Sequence, residues 1–219
     1  SGEWATISRH SLQYKFGLSY ILVIIAVLIL LNTYPLIVSQ NLVFQSKQNT
    51  LQSSVKVMVS ALSGLDRLTE ENVTAAMTVV EDTGISRILV TDAMGQILYD
   101  TRETGGAVGS YAFYTEIIQA LEGNDTFYCS FSGDAFRSRA SSPVLYQNQI
   151  IGSIYAYEYD TEQANLLIGF QSNLRSISLV VGLLVLVLSL ILSRALTRQI
   201  SELLSAIHKV REGAYSHRA

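Results

Sequence analysis

Histidine is the side chain best suited to acid–base work and metal binding near neutral pH. This chain of 219 residues has three, His10, His208 and His217, all close to its ends. Residues 39–175 therefore hold no imidazole to act as a base or to bind a metal. His208 lies among Ile207, Lys209 and Val210 and lacks the acidic and Thr-Pro neighbours of a phosphoacceptor box, so it is not expected to carry phosphate. Gly105, Gly106 and Gly109 cluster without the lysine that a phosphate-cradling loop needs. The acidic residues are scattered, which weakens the case for a divalent cation. Cys129 is the single cysteine, so no internal disulfide can form, and on a predicted strand it reads as a small buried hydrophobe. The sequons at Asn72-Val73-Thr74 and Asn124-Asp125-Thr126 have meaning only in a secretory pathway. The expectation is a chain with no catalytic residues, no metal, no cofactor and no nucleic-acid partner.

Two apolar stretches dominate what remains. Residues 16–38 hold no charge and contain an unbroken apolar run from 21 to 31, and residues 176–193 are dense in Leu, Val and Ile. A hydrocarbon core ~30 Å thick takes about 20 helical residues, so each stretch is long enough to span. A cleaved signal peptide is the alternative for the first, but the uncharged apolar region of residues 16–38 is longer than the usual ~7–15 residues of such peptides and no Ala-x-Ala site follows it, and both facts favour an uncleaved anchor. A buried core helix is the alternative for the second; the basic residues directly after it favour a span. The chain divides into a tail (1–15), a span (16–38), an outer segment (39–175), a second span (176–193) and a second tail (194–219).

Charge sets the expected orientation. The tails carry Arg9, Lys15, Arg194, Arg198, Lys209, Arg211 and Arg218 against Glu3, Glu202 and Glu212. The outer segment carries eight Lys/Arg against fifteen Asp/Glu, an asymmetry that the net charge of −3 conceals. Basic residues beside a span stay in the cytoplasm, which predicts a multi-pass protein of the cell membrane with both tails inside and the acidic segment outside.

Periodicity predicts the outer fold. Leu51, Val55, Met58, Leu62 and Leu65 step by 4, 3, 4, 3, the seam of a helix packed along another helix. Thr69 offers an N-cap to a second helix running to about residue 82, with Glu70 and Glu71 in its first turn and a stop at Gly84. Strands are expected over 85–91 and 96–100 around the turn Asp92-Ala93-Met94-Gly95, and residues 104–110 read as a loop. Helical spacing follows over 111–121 through Tyr111, Tyr114, Ile118 and Leu121. Three further strands are expected at 126–131, 137–146 and 150–159, and a helix from Thr161 into the second span. This is an α+β domain on a five-stranded antiparallel sheet. Beyond the second span, Leu196, Ile200, Leu203, Ile207 and Val210 repeat the 4, 3, 4, 3 stripe, too narrow to fold alone. It asks for a second copy, giving a parallel homodimer; the alternative is a helix lying on the membrane surface through Arg194 and Arg198.

The stretch VTDAMGQILYDT resembles the first hairpin of extracytoplasmic PAS-like (Cache) sensor domains, with Asp92, Gly95, Ile97 and Asp100 at that family's Asp-x-x-Gly-x-Ile-x-x-Asp positions. RSRASSPVLYQNQIIGSIYAYEYD is similar to its closing hairpin, and RALTRQISELLSAIHKVREGAYSHRA resembles the first helix of a HAMP relay. Together they resemble the sensor half of a bacterial transmembrane histidine kinase. The resemblance implies a detector of an extracytoplasmic stimulus, a small molecule or a protein, that relays through its spans and HAMP to a kinase domain and thence to a response regulator. A chemoreceptor, a diguanylate cyclase or a doubly anchored structural protein are the rival readings. It also implies a ligand site between the sheet and the short helix crossing it, taking Tyr111 and Tyr114, Tyr128, Arg137, Arg139, Ser141 and Tyr157 as contacts. The segment RSRASSPV is similar to Ser-Leu-Arg-Ala-x-x-Pro-Val of citrate and dicarboxylate sensor kinases, which would make Arg139 an anion clamp.

Overall fold

The computed structural model describes residues 2–80, 83–102 and 106–216. The expected end of the second helix at 82, the loop position Gly105 and the tail residues His217 and Arg218 lie outside the described residues. The described elements are α1 (Gly2–Leu62), α2 (Glu70–Met77) with a 3₁₀ turn (Thr78–Val80), β1 (Arg87–Asp92), β2 (Ile97–Asp100), α3 (Thr115–Leu121), β3 (Thr126–Ser132), β4 (Ala135–Tyr146), β5 (Gln149–Asp160) and α4 (Glu162–Ser216). They form a helical unit, α1 up to Ile37 with α4 from Phe170, and a sheet unit, Val38–Gly169.

In the helical unit both helices contain a stretch long and apolar enough to cross a membrane, and the most apolar window of each is 0% and 6% buried. A helix from the core of a soluble domain would be covered, and these are not. They meet where Gly182 faces Leu28; a Cβ on Gly182 would lie 3.2 Å from the leucine methyl. Asn32, polar within an apolar stretch, donates its side-chain amide to the Leu28 carbonyl at 2.8 Å and so satisfies itself along the helix. The stripe of Leu196, Ile200, Leu203, Ile207 and Val210 stays 46–74% exposed, with nothing of the described chain upon it.

The sheet unit is a five-stranded antiparallel sheet in the order β2-β1-β5-β4-β3. β5 is its centre, paired along β1 on one side and β4 on the other. Alternation sends Ile88, Val90, Ile154, Ala156, Ala140 and Val144 to one face and Leu89, Tyr155 and Tyr157 to the other. The first face is covered by α1 through Leu51, Val55, Met58 and Leu62 and by α2 through Val73 and Met77, all buried. This corrects the sequence expectation for the outer stripe. Leu51, Val55, Met58 and Leu62 do not form a seam with another helix; the same chain's sheet fills that face. A 4, 3 stripe records that a helix has one apolar side and says nothing about what covers it.

Local chemistry explains the joints. Thr69 caps α2 as expected, and the cap is reciprocal: its hydroxyl accepts from the Asn72 N–H while the Asn72 side chain accepts from the Thr69 N–H. Gln147 and Asn148, both at positive φ, make the two-residue turn between β4 and β5 that a hairpin's twist favours. α3 starts one turn later than its apolar spacing suggests. Tyr111 instead bridges Gln96, and the Ala112 N–H donates to the Gly95 carbonyl, so this segment is extended and Tyr114 becomes the N-cap position.

Gly152 lies on β5 opposite Asp92 of β1, at the point where β4 bulges between Val144 and Leu145. A Cβ there would collide with the Thr91 carbonyl oxygen and sit 2.5 Å from a Leu68 methyl. Backbone cannot retreat as a side-chain tip can. Gly152→Ala is expected to destabilise the sheet unit by about 2 kcal/mol or more, measured by urea unfolding followed by tryptophan-independent far-UV dichroism.

Candidate functional site

The sheet face away from α1 brings arginines and tyrosines into a ladder that only the strand register reveals. Arg87 on β1 pairs with Tyr157 on β5, Tyr157 with Arg139 on β4, and Arg139 with Tyr128 on β3. One row thus reads Arg, Tyr, Arg, Tyr across four neighbouring strands. The next row sets Tyr159 beside Arg137 and Arg137 beside Ser130. The Arg139 guanidinium lies 4.9 Å from the centre of the Tyr128 ring and that of Arg137 5.5 Å from Tyr159, both cation–π distances.

Carboxylates answer two of these three cations. Arg87 meets Asp100 with two parallel hydrogen bonds, Nε to Oδ1 at 3.1 Å and Nη2 to Oδ2 at 2.9 Å. Asp100 is only 2% exposed at its side chain. Burial alone would raise its carboxyl, but the Arg87 guanidinium and the Arg102 N–H outweigh burial and hold it below the ordinary 3.8. Arg139 reaches one oxygen of Glu116, from α3, at 3.1 Å, with side-chain exposures of 39% and 13%. Arg137 is exposed and, among the described residues, has no carboxylate within ion-pair distance.

α3 closes over the inner part of this face. Ile117 and Ala112 pack with Leu89, Ile97 and Tyr155, and Leu121 and Tyr157 lie against the cluster. Tyr114 stacks on Tyr155 at 5.3 Å. The Tyr155 phenol is pushed up to about 12, first by burial and then by the Glu116 carboxylate, so it stays protonated at any physiological pH. The Ser141 hydroxyl donates to the Glu116 carbonyl at 2.6 Å; its single proton being spent there, Thr126 must be the donor in the 2.5 Å contact between them.

The sequence-derived residues therefore separate. Arg139, Arg137, Tyr128 and Tyr157 share the ladder. Tyr114 stands beside it on Tyr155, and Ser141 is a structural peg beneath α3. Tyr111 is exposed, stacked on Phe113 at 6.5 Å, and is not on the helix. Sequence reasoning missed Arg87 as a ladder member, and Asp100 and Glu116 as the carboxylates that pair with the ladder's arginines. The pairing of residues 13 and 23 positions apart has no local signal, although an acid in the first turn of a short helix was visible. The hairpin motif is structural throughout: the Asp92 carboxylate accepts from the Met94 and Gln96 N–H groups, Gly95 takes φ +86, Ile97 enters the core and Asp100 holds Arg87.

No protein-family description and no curated protein matches the chain. Solved structures are similar in part. The sensor domain of DcuS from E. coli is 15% identical with a TM-score of 0.35, over 55% of this chain and 98% of that one. The ligand-binding domain of the Campylobacter jejuni chemoreceptor Tlp3, in complex with 4-methylisoleucine, is 17% identical with a TM-score of 0.46, over 60% and 58%. The sensor domain of the V. cholerae histidine kinase DctB is 14% identical with a TM-score of 0.30, over 72% and 57%. The chain thus spans less than two thirds of the Tlp3 and DctB chains.

Asp100→Asn leaves the Arg87 guanidinium largely buried without a counter-charge and is expected to cost about 3 kcal/mol in denaturant unfolding at pH 7. The pH dependence has a definite sign. A carboxyl that is lower in the folded than in the unfolded state contributes stability above its unfolded value near 3.8 and loses it as pH falls through the folded value. Unfolding free energies between pH 5 and pH 2 should accordingly fall less steeply in Asp100→Asn than in the wild type.

Proposed function

We propose that the chain is the sensing and membrane-relay part of a receptor: a PAS-like outer domain whose two membrane-crossing helices carry a stimulus inward. The observation that carries this reading is continuity. α1 runs without a break from a membrane-length apolar stretch to the stripe under the sheet, and the central strand β5 passes into α4 through Thr161 alone. The five-stranded antiparallel sheet with long helices fits the PAS-like resemblance of the two hairpins. The basic tails and the acidic sheet unit support a topology with both ends in the cytoplasm and the sheet unit outside. The uncovered stripe from Leu196 to Val210 takes a second copy, as the first helix of a HAMP relay does. We read the output as a histidine kinase; the sequence following Ala219 decides between that, a methylated coiled coil of a chemoreceptor and a cyclase domain.

The stimulus this surface fits is a small organic anion. Arg137 offers an uncommitted cation beside Tyr159, and Arg139 offers the guanidinium donors that Glu116 leaves free, backed by the Tyr128 ring. Glu116 occupies the place that a ligand carboxylate would take on Arg139, so binding involves exchange with an internal competitor. The exposed Tyr111 and Phe113 favour a second reading, in which the stimulus is a protein that covers this aromatic pair.

Succinate and inorganic phosphate, titrated calorimetrically into the full chain in lipid nanodiscs, test the anion reading. Glu116→Gln should strengthen binding by about fivefold, the worth of one partly exposed ion pair, while Arg137→Gln and Arg139→Gln weaken it by at least as much. Binding by none of these proteins, including Glu116→Gln, would exclude the anion reading. Orientation is checked separately: in a Cys129→Ser background, Ser132→Cys should react with an impermeant maleimide outside intact cells and Ser205→Cys should not.

A further inference from the structure

The other sheet face ends in a buried polar cluster that neither the core nor the candidate site uses. Lys47, on α1, is 5% exposed. Its ammonium donates to Glu158 Oε1 at 2.6 Å and to Asp160 Oδ2. The second oxygen of Asp160 accepts the Gln163 N–H at 3.0 Å, in the first turn of α4. One carboxylate thus joins α1 to the start of α4, and it does so at the last residue of the central strand. Burial opposes its charge, yet Lys47 and the first-turn N–H groups hold Asp160 below the ordinary carboxyl range.

Across the strands from Glu158 stands Ser138, whose hydroxyl is spent on Cys129 Sγ at 3.2 Å. Two features remain open. Lys47 has three N–H donors and uses two of them. Gln163 Oε1 is buried without a hydrogen-bond partner, which among the described residues is true of no other buried side-chain oxygen or nitrogen. An orphaned acceptor is a standing penalty on the arrangement that contains it.

We propose that Lys47, Asp160 and Gln163 form a two-position clamp on the first turn of α4. In the position seen here the ammonium holds Asp160 and the Gln163 oxygen goes without a donor. In the other, the first turn of α4 shifts so that Oε1 takes the third N–H of Lys47 while the Asp160 contact lengthens. Each position satisfies what the other leaves unsatisfied, and that balance is what brings two arrangements of packed elements close in free energy. Use of the clamp in signalling rests on the receptor reading above; its existence does not.

Amide hydrogen exchange on the full chain in lipid nanodiscs, without any stimulus, reads the clamp directly. Lys47→Met should raise exchange over residues 162–167 by about tenfold while β1 and β5 exchange as in the wild type, the signature of a local opening rather than a weakened core. Exchange that rises equally in the strands would reduce Lys47 to an ordinary core contact and overturn the proposal. Gln163→Met keeps the length of the side chain and deletes the orphaned oxygen, so it should slow exchange over 162–167 by about threefold. Unchanged or faster exchange in this variant would show that Oε1 is not a waiting acceptor and would remove the second position. Neither readout depends on a ligand or an output domain, so the clamp and the receptor reading can fail independently.

Discussion

Everything in the sheet unit hangs from one apolar contact, the stripe of α1 against the sheet. Leu51, Val55, Met58 and Leu62 are buried on Ile88, Val90, Ile154, Ala156, Ala140 and Val144. At about 2 kcal/mol for each large side chain taken out of water, these four residues alone supply a substantial share of a small domain's net stability. The contact also decides sidedness. With one face of the sheet given over to α1 and α2, strict alternation along each strand commits the other set of side chains to the opposite face. The arginines and tyrosines line up there because the hydrophobic residues between them are held elsewhere.

Which elements exist was legible from the sequence, because periods of 3.6 and 2 are local properties. The two long helices, the two hairpins and the capped α2 follow from apolar spacing, turn residues and Thr69. What those elements touch was less legible. The stripe from Leu51 to Leu62 and the stripe from Leu196 to Val210 have the same 4, 3 spacing, yet one is buried by a sheet and the other lies open. Nothing in the spacing separates these outcomes; the presence of strands later in the chain does. The start of α3 was misplaced for a related reason. Tyr111 and Tyr114 have helical spacing with Ile118, but backbone pairing with Gly95 and Gln96 holds the first part of that segment extended.

The candidate site shows the same limit at the level of charge. Arg137 and Arg139 were visible as cations two residues apart on one strand. That Glu116 neutralises one and not the other depends on α3 crossing β4, a contact between segments separated by a turn and a whole strand. Ser141 shows the converse. A hydroxyl in a motif reads as a ligand contact, yet its proton is already given to a backbone carbonyl. Register turns separate residues into a surface, and register is a property of pairs of strands rather than of either one.

The single residue between β5 and α4 has a consequence for how this chain can vary. Ala164 and Leu167 are the buried positions of the first turns of α4, and they face inward because Thr161 alone separates Asp160 from the helix. Each residue added or removed there would swing that face by about 100°, since a helix turns once in 3.6 residues. Length at this joint is therefore an angular setting. Insertions that loops elsewhere absorb would here act as rotations, and a change of about four residues would be needed to bring the same face round again.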